Sequence, residues 1–287
     1  MRSVSIFIRA KNEAIALQRT LLAISKQECQ PDEVVVLDNE SEDQTCEVAK
    51  SLGAVVKKIP LEQFTFGRAL NKSLDVTKGE IIVFLSAHSP PLDAHWLSRL
   101  VEPLKLGEAP AAFGRQSPEP GVNHFDEWFL YRTFPRHPSL LLKILGLQKI
   151  TFSNANAAVL RTLLQDHRFR EDLAFAEDIE WAKRIQREGY QISYCPEAAV
   201  FNSHRFSPGD LARRMHEVGY AMGQCGTGEI YKNSFSCLFA YLASMTVDLL
   251  YCLTKGYWSM ILQIPKYRYE YFHGLRRGLT TWYKESC

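Results

Sequence analysis

The sequence predicts an α/β fold: a mostly parallel central sheet with helices on both faces, followed by a helical C-terminal region. Three patterns carry this. Short, continuously apolar runs recur through the first hundred residues: Val4 to Ile8, Glu33 to Leu37, Ala54 to Ile59 and Ile81 to Leu85. Strands that are apolar at every position are buried on both faces, as in parallel sheets. The segments between them have helical spacing, so strand and helix alternate. From about residue 210 the helical pattern continues without further strand signals.

Each element has its own signal. Residues 12 to 27 place Ile15, Leu17, Leu21, Leu22 and Ile24 at helical intervals, and Pro31-Asp32 ends them. Ser41 to Leu52 reads as a helix with Ser41 or Asp43 as its N-cap and Gly53 as its stop. Gly67 to Lys78 reads as a third helix, ended by Gly79. The stretch 107 to 150 is less regular. It contains a loop at Pro118-Glu119-Pro120-Gly121, an aromatic run from Phe125 to Phe134, and an apolar stretch at 139 to 148 that reads as a lid or insertion. Order resumes at 150 to 165, with Asn154 and Asn156 at a strand end, and a strand pair is expected around Pro196. Segment 176 to 192 is an amphipathic helix: Trp181, Ala182, Ile185 and Ile192 lie on one side, Lys183, Arg184, Arg187 and Glu188 on the other. Two domains are expected, 1–220 and a helical 221–287.

Composition narrows the function. Hydrophobic residues make up 46% and charged residues 23%, so the chain can bury a core. The 34 basic side chains nearly balance the 32 acidic ones, which argues against a dedicated nucleic-acid binder. Seven cysteines without a C-x-x-C pair point to reduced thiols and an intracellular setting, and no secretory signal opens the chain. Residues 235 to 264 are strongly apolar, interrupted by Asp248, Lys255 and Gly256. Burying Asp248 in a spanning helix would be unfavourable. The segment therefore reads as a helix or hairpin lying on a membrane or packed on the catalytic domain. The tail mixes Lys266, Arg268, Arg276, Arg277 and Lys284 with tyrosines and tryptophan. That mixture fits both an anionic membrane surface and a packed helical subdomain.

Ligands of such sheets bind beyond the carboxyl ends of the strands. Asp38 ends the second strand, where a carboxylate can accept hydrogen bonds from a base or ribose. Three carboxylates, Glu177, Asp178 and Glu180, open the helix that carries Trp181. A helix N-terminus favours ionised acids, which suits a general base.

Four stretches, in this order and spacing, resemble family 2 glycosyltransferases of the GT-A (Rossmann-like) fold. They are Ser5 to Glu13, the D-N-x-S-x-D-x-T run at 38 to 45, Gly79 to Leu85, and Phe175-Ala176-Glu177-Asp178-Ile179-Glu180-Trp181-Ala182. Phe64 to Asn71 and Ser153 to Ala158 are most similar to the rhamnosyltransferase-like branch. The resemblance covers about residues 1 to 220. It implies an inverting transfer of a sugar from a UDP- or dTDP-linked donor to a hydroxyl of a glycan or lipid-linked acceptor. Cell-envelope polysaccharide synthesis, in the cytoplasm or peripherally on the inner membrane face, is the implied setting. Asp178, with Glu177 beside it, would be the catalytic base. Arg9, Asn12, Glu13, Asp38, Ser41, Asp43, Arg68, Asn71, Ser86 and His88 would bind the donor. Trp181, Asn154 and Asn156 would bind the acceptor.

One departure stands out. The family usually follows the fourth strand with D-x-D, which holds a divalent metal on the diphosphate. Here the matching residues are Ser86-Ala87-His88. His88 and His204 could ligate manganese, but two histidines without a carboxylate suit magnesium poorly. Three readings stay open: a weak Mn²⁺ or Mg²⁺ site, metal-free catalysis in which Arg68, Arg205, Arg213 or Arg214 neutralises the diphosphate, and an inactive nucleotide-sugar-binding relative or partner subunit. A nucleotidyltransferase would want a glycine-rich loop after the first strand, and residues 9 to 13 hold no glycine. A dehydrogenase would want G-x-G-x-x-G, which is absent.

Overall fold

The computed structural model describes residues 2–122, 124–140, 148, 150–202, 210–228, 231 and 233–286. Its contacts group into two compact units. The first comprises Met1–Val122, Phe129–Asp172 and Glu177–Ser203, and the second Asn123–Trp128, Leu173–Ala176 and His204–Cys287.

The first unit is built on a seven-stranded sheet. In chain order its strands are β1 (Val4–Ala10), β2 (Glu33–Asp38), β3 (Val55–Lys58), β4 (Ile81–Ser86), β5 (Ala111–Ser117), β6 (Asn156–Leu160) and β7 (Ile192–Phe201), and their order across the sheet is β3-β2-β1-β4-β6-β5-β7. Strands β3, β2, β1 and β4 run parallel, and so do β5 and β7. Strand β6 is antiparallel to both neighbours, β4 and β5. Side chains alternate between the faces. Ile6, Ile8, Val36, Val83 and Leu85 pack on one side with Leu17, Leu21 and Trp96, while Phe7, Val35, Leu37, Ile82 and Phe84 pack on the other with Leu70, Phe169 and Trp181. Both faces are therefore covered, as the continuous apolar runs require.

Helices α1 (Ala14–Ser25), α2 (Thr45–Ser51), α3 (Phe66–Asn71), α4 (Ser73–Val76) and α5 (Trp96–Leu106) connect the early strands. Three local expectations change. The N-cap position of α2 is Gln44, without a side-chain bond, although Asp43 Oδ1 still accepts the N–H of Thr45, the first residue of α2, at 2.9 Å. Ser41 and Asp43 also tie down the approach to α1: Asn12 N–H donates to Ser41 Oγ (2.9 Å) and Ala14 N–H to Asp43 Oδ2 (3.1 Å). The expected helix at 67–78 is two short helices, and Gly79 is not their cap. It is glycine because a Cβ there would stand 2.5 Å from the Ser5 nitrogen, in the pairing of the chain with β1. The strand pair around Pro196 is one strand, β7, with a register shift opposite Gly114 and Gln116. Gly53 does stop α2, at φ +82°.

The expected irregular stretch 107–150 contains β5 and helix α6 (His124–Thr133), while residues 141–147 of the expected lid lie outside the described residues. Helices α7 (Arg161–Asp166) and α8 (Glu177–Arg187) complete the first unit. Among the described residues, Cys29, Cys46, Cys195, Cys237 and Cys252 are free thiols.

The second unit is formed chiefly by α9 (Asp210–Gln224), α10 (Ser234–Lys255), α11 (Trp258–Ile261) and α12 (Ile264–Ser286). Helix α9 belongs with the C-terminal helices, so the first unit ends near residue 203. Its packing on α12 is close because glycines meet backbone. A Cβ on Gly278 would lie 1.9 Å from the His216 carbonyl oxygen, and one on Gly219 would lie 2.0 Å from that of Leu275. Asp248 of α10 turns inward, with 1% exposure, and pairs with Arg268 of α12 through two contacts of 2.5 and 2.6 Å. Trp128 Nε1 donates to the same carboxylate at 3.1 Å. The charge that interrupts the apolar run is thus satisfied inside the protein.

Removing one partner of a buried ion pair strands the other charge, at a cost of about 3–5 kcal/mol. Asp248→Ala is expected to lower stability by that amount in urea denaturation followed by circular dichroism. The double change Asp248→Leu with Arg268→Leu is expected to recover most of the loss.

Candidate active site

The site is at the carboxyl edge of the parallel strands. Strand register lines up its residues: Asp38 lies beside Ala10, Arg9 beside Ser86, and Leu85 beside Asn156. Because β6 runs antiparallel, its first residues arrive at the edge where β1, β2 and β4 end.

Asp38 closes β2 and is fully buried. Its Oδ2 accepts the Ser41 N–H at 3.2 Å, and its Oδ1 accepts no hydrogen bond. The neighbouring Asn39 Oδ1 is likewise buried and unbonded. A buried acceptor left without a donor is unfavourable by about 1–3 kcal/mol, which makes these two oxygens candidate acceptors for a ligand's N–H or O–H group. The loops around it are cross-tied. Asn12 Oδ1 accepts the Glu42 N–H (2.8 Å), and Thr45 Oγ1 accepts the Glu13 N–H (2.9 Å). Asn12 and Glu40, one in each loop, hold a left-handed backbone at φ +53°. Asp43 titrates below the ordinary carboxylate range, chiefly through its hydrogen bond with Thr45.

Asn154 is the hub of a second cluster. Its backbone N–H donates to Asp178 Oδ2 (3.1 Å), its amide nitrogen to Glu177 Oε1 (2.8 Å), and its amide oxygen accepts from Arg9 Nη2 (3.5 Å). Arg9 also donates to the Phe66 carbonyl (3.4 Å) and lies over the Phe66 ring, 5.1 Å from its centroid. Glu177 is buried and Asp178 partly so. Ala176, immediately before them, holds a left-handed φ of +62°, which is uncommon away from glycine and bends the chain sharply into α8.

Asp178 is pushed up to about 7, first by burial and next by the Glu177 charge, against the opposing pull of the Asn154 and Ile179 N–H groups and Arg9. This corrects the expectation that the helix N-terminus keeps it an ordinary ionised acid. Desolvation and a like charge outweigh the helix terminus here. Burial lowers Arg9, and the two acids partly restore it.

Other expected site residues have structural work. Trp181 is wholly buried, tilted against Phe152 and Phe169, and donates to the His167 carbonyl at 2.5 Å. It is a core residue and cannot wall an acceptor. Asn156 is also wholly buried: its oxygen accepts from Trp96 Nε1 (2.9 Å), and its nitrogen donates to the carbonyls of Arg115 (3.1 Å) and Ala198 (2.9 Å). Asn71 exchanges hydrogen bonds with the Phe169 backbone and donates to Glu171, which also pairs with Arg68 (3.0 Å). Those two partners hold Glu171 below the ordinary range. Arg68 and Asn71 thus tie down the 169–171 segment.

At the position of the missing D-x-D, Ser86 ends β4 and Ala87 is buried, while the His88 Nδ1 meets the Glu13 carboxylate at 3.0 Å. The described residues contain no group of three His, Cys, Asp or Glu side chains that could hold a metal. His204 and Arg205 lie outside the described residues. Arg213 pairs with Asp210 at 2.8 Å, and Arg214 lies over the Phe175 ring. The pairing of Glu13 with His88, the support of Arg9 by Phe66, and the pivot at Asn154 carry no spacing signal. Each joins residues far apart in the chain.

Comparison with known proteins identifies the family. The family model described as glycosyl transferase family 2 matches residues 5–168. The O-antigen chain rhamnosyltransferase RfbN of Salmonella typhimurium is 27% identical over 225 residues, 75% of this chain and 71% of the relative. WbaN of Salmonella anatum, with the same description, is 28% identical over 205 residues, 69% of this chain and 64% of the relative. Among solved structures, a mannosyltransferase from Pyrobaculum calidifontis in complex with GDP-Man and Mn²⁺ superposes with a TM-score of 0.65 at 18% identity, over 97% of this chain and 87% of that one. Glucosyl-3-phosphoglycerate synthase from Mycobacterium tuberculosis, in complex with Mn²⁺, UDP-glucose and phosphoglyceric acid, gives 0.58 at 24% identity, over 79% of this chain and 81% of that one. These two likenesses speak to the fold. The family match covers more than half of the chain, and with the sheet order and the acid pair at its carboxyl edge it leads to one conclusion: this chain belongs to glycosyl transferase family 2 and is a glycosyltransferase of the GT-A fold.

Proposed function

We propose that the chain transfers a sugar, with rhamnose the best-supported choice, from a UDP- or dTDP-linked donor to a hydroxyl of a glycan or lipid-linked acceptor during assembly of an O-antigen-like cell-envelope polysaccharide. The observation that carries this reading is the pairing, on one sheet edge, of an unbonded buried carboxylate oxygen at Asp38 with the Glu177–Asp178 cluster. The two rhamnosyltransferase relatives support the choice of sugar and pathway.

In this reading Asp38 accepts the N–H of a uracil or thymine ring, and Asn12, Ser41 and Asp43 hold the loops that frame it. Asp178 takes the proton of the acceptor hydroxyl. The freed oxygen attacks the anomeric carbon from the face opposite the diphosphate. The carbon–oxygen bond to the diphosphate breaks, its electron pair leaves with the diphosphate, and the configuration inverts. Glu177 keeps Asp178 basic by like-charge repulsion, Asn154 aims both acids, and Arg9 balances their charge. A carboxylate near neutral pKa is well matched to this work. The donor set at His88 and Glu13, one imidazole and one carboxylate, fits a borderline cation such as Mn²⁺ better than Mg²⁺. A divalent cation held there would neutralise charge on the leaving diphosphate. The site works on the cytoplasmic face of a membrane, a placement supported by the apolar face that α10 leaves exposed.

Three outcomes test this. Asp178→Asn is expected to lower transfer by about 10²–10⁴-fold while thermal shift with UDP- and dTDP-sugars stays unchanged; transfer at the parent rate would remove Asp178 from the mechanism. Transfer by the parent should rise with pH through about 7, as Asp178 loses its proton. The same shift affects stability in the opposite direction. The folded value lies above the ordinary 3.8, so the stabilisation is complete below about 4 and lost as pH rises through about 7. Urea midpoints of the parent, but not of Asp178→Asn, should show that decline. His88→Ala is expected to abolish any stimulation of transfer by manganese, and an unchanged response would take His88 out of the metal site.

A further inference from the structure

The second unit contains a cavity of about 350 Å³ between α9 and α12, lined by Ala212, Arg213, His216, His273, Gly274 and Arg277. Two guanidinium and two imidazole groups line it, and no carboxylate does. Gly274 brings the two helices together at one edge of it: an added Cβ would lie 2.4 Å from the Ala212 carbonyl oxygen. Arg213 pairs with Asp210 Oδ1 at 2.8 Å. His216 Nε2 lies 3.3 Å from Thr281 Oγ1, and His273 stacks on Tyr269. Arg277 is exposed and has no ion-pair partner among the described residues. Guanidinium groups bind phosphate oxygens through paired N–H donors, and imidazole adds single donors.

A neighbour of Arg277 contacts α10, which carries an apolar surface. Arg276, the residue before Arg277, donates to Ser234 Oγ at 2.7 Å, at the first residue of α10. From there Phe235, Leu238, Phe239, Leu242, Leu250 and Leu253 are exposed at spacings that share one helix face. Trp258 and Leu262 follow at 66% and 89% exposure. Helix α10 is long and apolar enough to cross a membrane, but Asp248 on its opposite side is locked to Arg268. Crossing would break a buried ion pair, whereas lying in the interface leaves it intact. Exposed Lys255 and Lys266 add positive charge at the ends of the stripe. An amphipathic surface with basic residues at its margin matches an anionic membrane interface.

We propose that the α9–α12 cavity is a binding site for the phosphate of an anionic membrane lipid, engaged while the α10 stripe sits at the acyl boundary. Arg277 is the principal phosphate ligand, with His273, His216 and Arg213 around it. The inference rests on the membrane placement proposed above and extends it by naming the lipid chemistry and the residues that read it.

The test is co-sedimentation of the full chain with vesicles of phosphatidylcholine alone and of phosphatidylcholine with phosphatidylglycerol. The parent should bind the anionic vesicles more tightly. Arg277→Gln should lose about fivefold of that preference, in line with one surface cation, and keep its binding to neutral vesicles. Leu238→Asp with Phe239→Asp should lose both. Thermal melts equal to the parent's would show that the variants fold. Inorganic phosphate at millimolar concentration should compete only weakly with anionic vesicles. Strong binding of free phosphate, abolished by Arg277→Gln, together with no vesicle preference, would assign the cavity to a soluble anion and overturn the lipid. Unchanged anionic preference in Arg277→Gln would overturn the cavity while leaving the membrane placement standing. A parent that binds neither vesicle would overturn both.

Discussion

The site depends on the direction of one strand. Parallel strands end together, so β1, β2 and β4 bring Ala10, Asp38 and Ser86 to one edge. A further parallel strand would have carried its N-terminal residues to the far edge. Strand β6 runs the other way between β4 and β5, and therefore delivers Asn154 and Asn156 where the other strands finish. Asn156, wholly buried, bonds to Trp96 and to two carbonyls and pins that entry. Asn154, two residues earlier, then meets Arg9 from β1 and both acids of α8.

The electrostatics follow from this crowding. Glu177 and Asp178 are adjacent in the chain, share one asparagine, and have the partly buried Arg9 near them. Helix dipoles and N–H groups favour ionised acids at a first turn by a modest amount that solvent screens. Here the acids are drawn out of solvent, so burial and mutual repulsion dominate and Asp178 moves toward neutrality. The same arrangement lowers the Arg9 guanidinium by burial while the acids raise it. Pre-set groups of this kind need little reorganisation when charge develops.

The second unit solves a different problem, an apolar helix that carries a charge. Asp248 is held by Arg268 and Trp128, and Arg268 is stacked near the Tyr267 and Tyr271 rings at 5.5 and 5.4 Å. Glycines at 219, 274 and 278 let α9 and α12 approach at backbone distance. The inward side of α10 is thereby fixed, and its outward side is left apolar.

Much of this was legible in the chain itself. The continuous apolar runs determined the parallel strands and their two covered faces, because a strand without polar positions has no side to offer to water. The order of Asp38 and the Glu177–Asp178 pair after their strand and turn signals determined the candidate chemistry. Periodicity also exposed the amphipathic α8, yet it could not say that Trp181 faces a core of Phe152 and Phe169 rather than a ligand, since both surroundings suit an indole. Only the tertiary structure decided that Asn154 is the pivot, that Asn71 and Arg68 serve the 169–171 segment, and that Ser41 and Asp43 also tie down the approach to α1. Those contacts join residues separated by 23 to 145 positions, and local pattern carries no information about which distant partner satisfies a polar group.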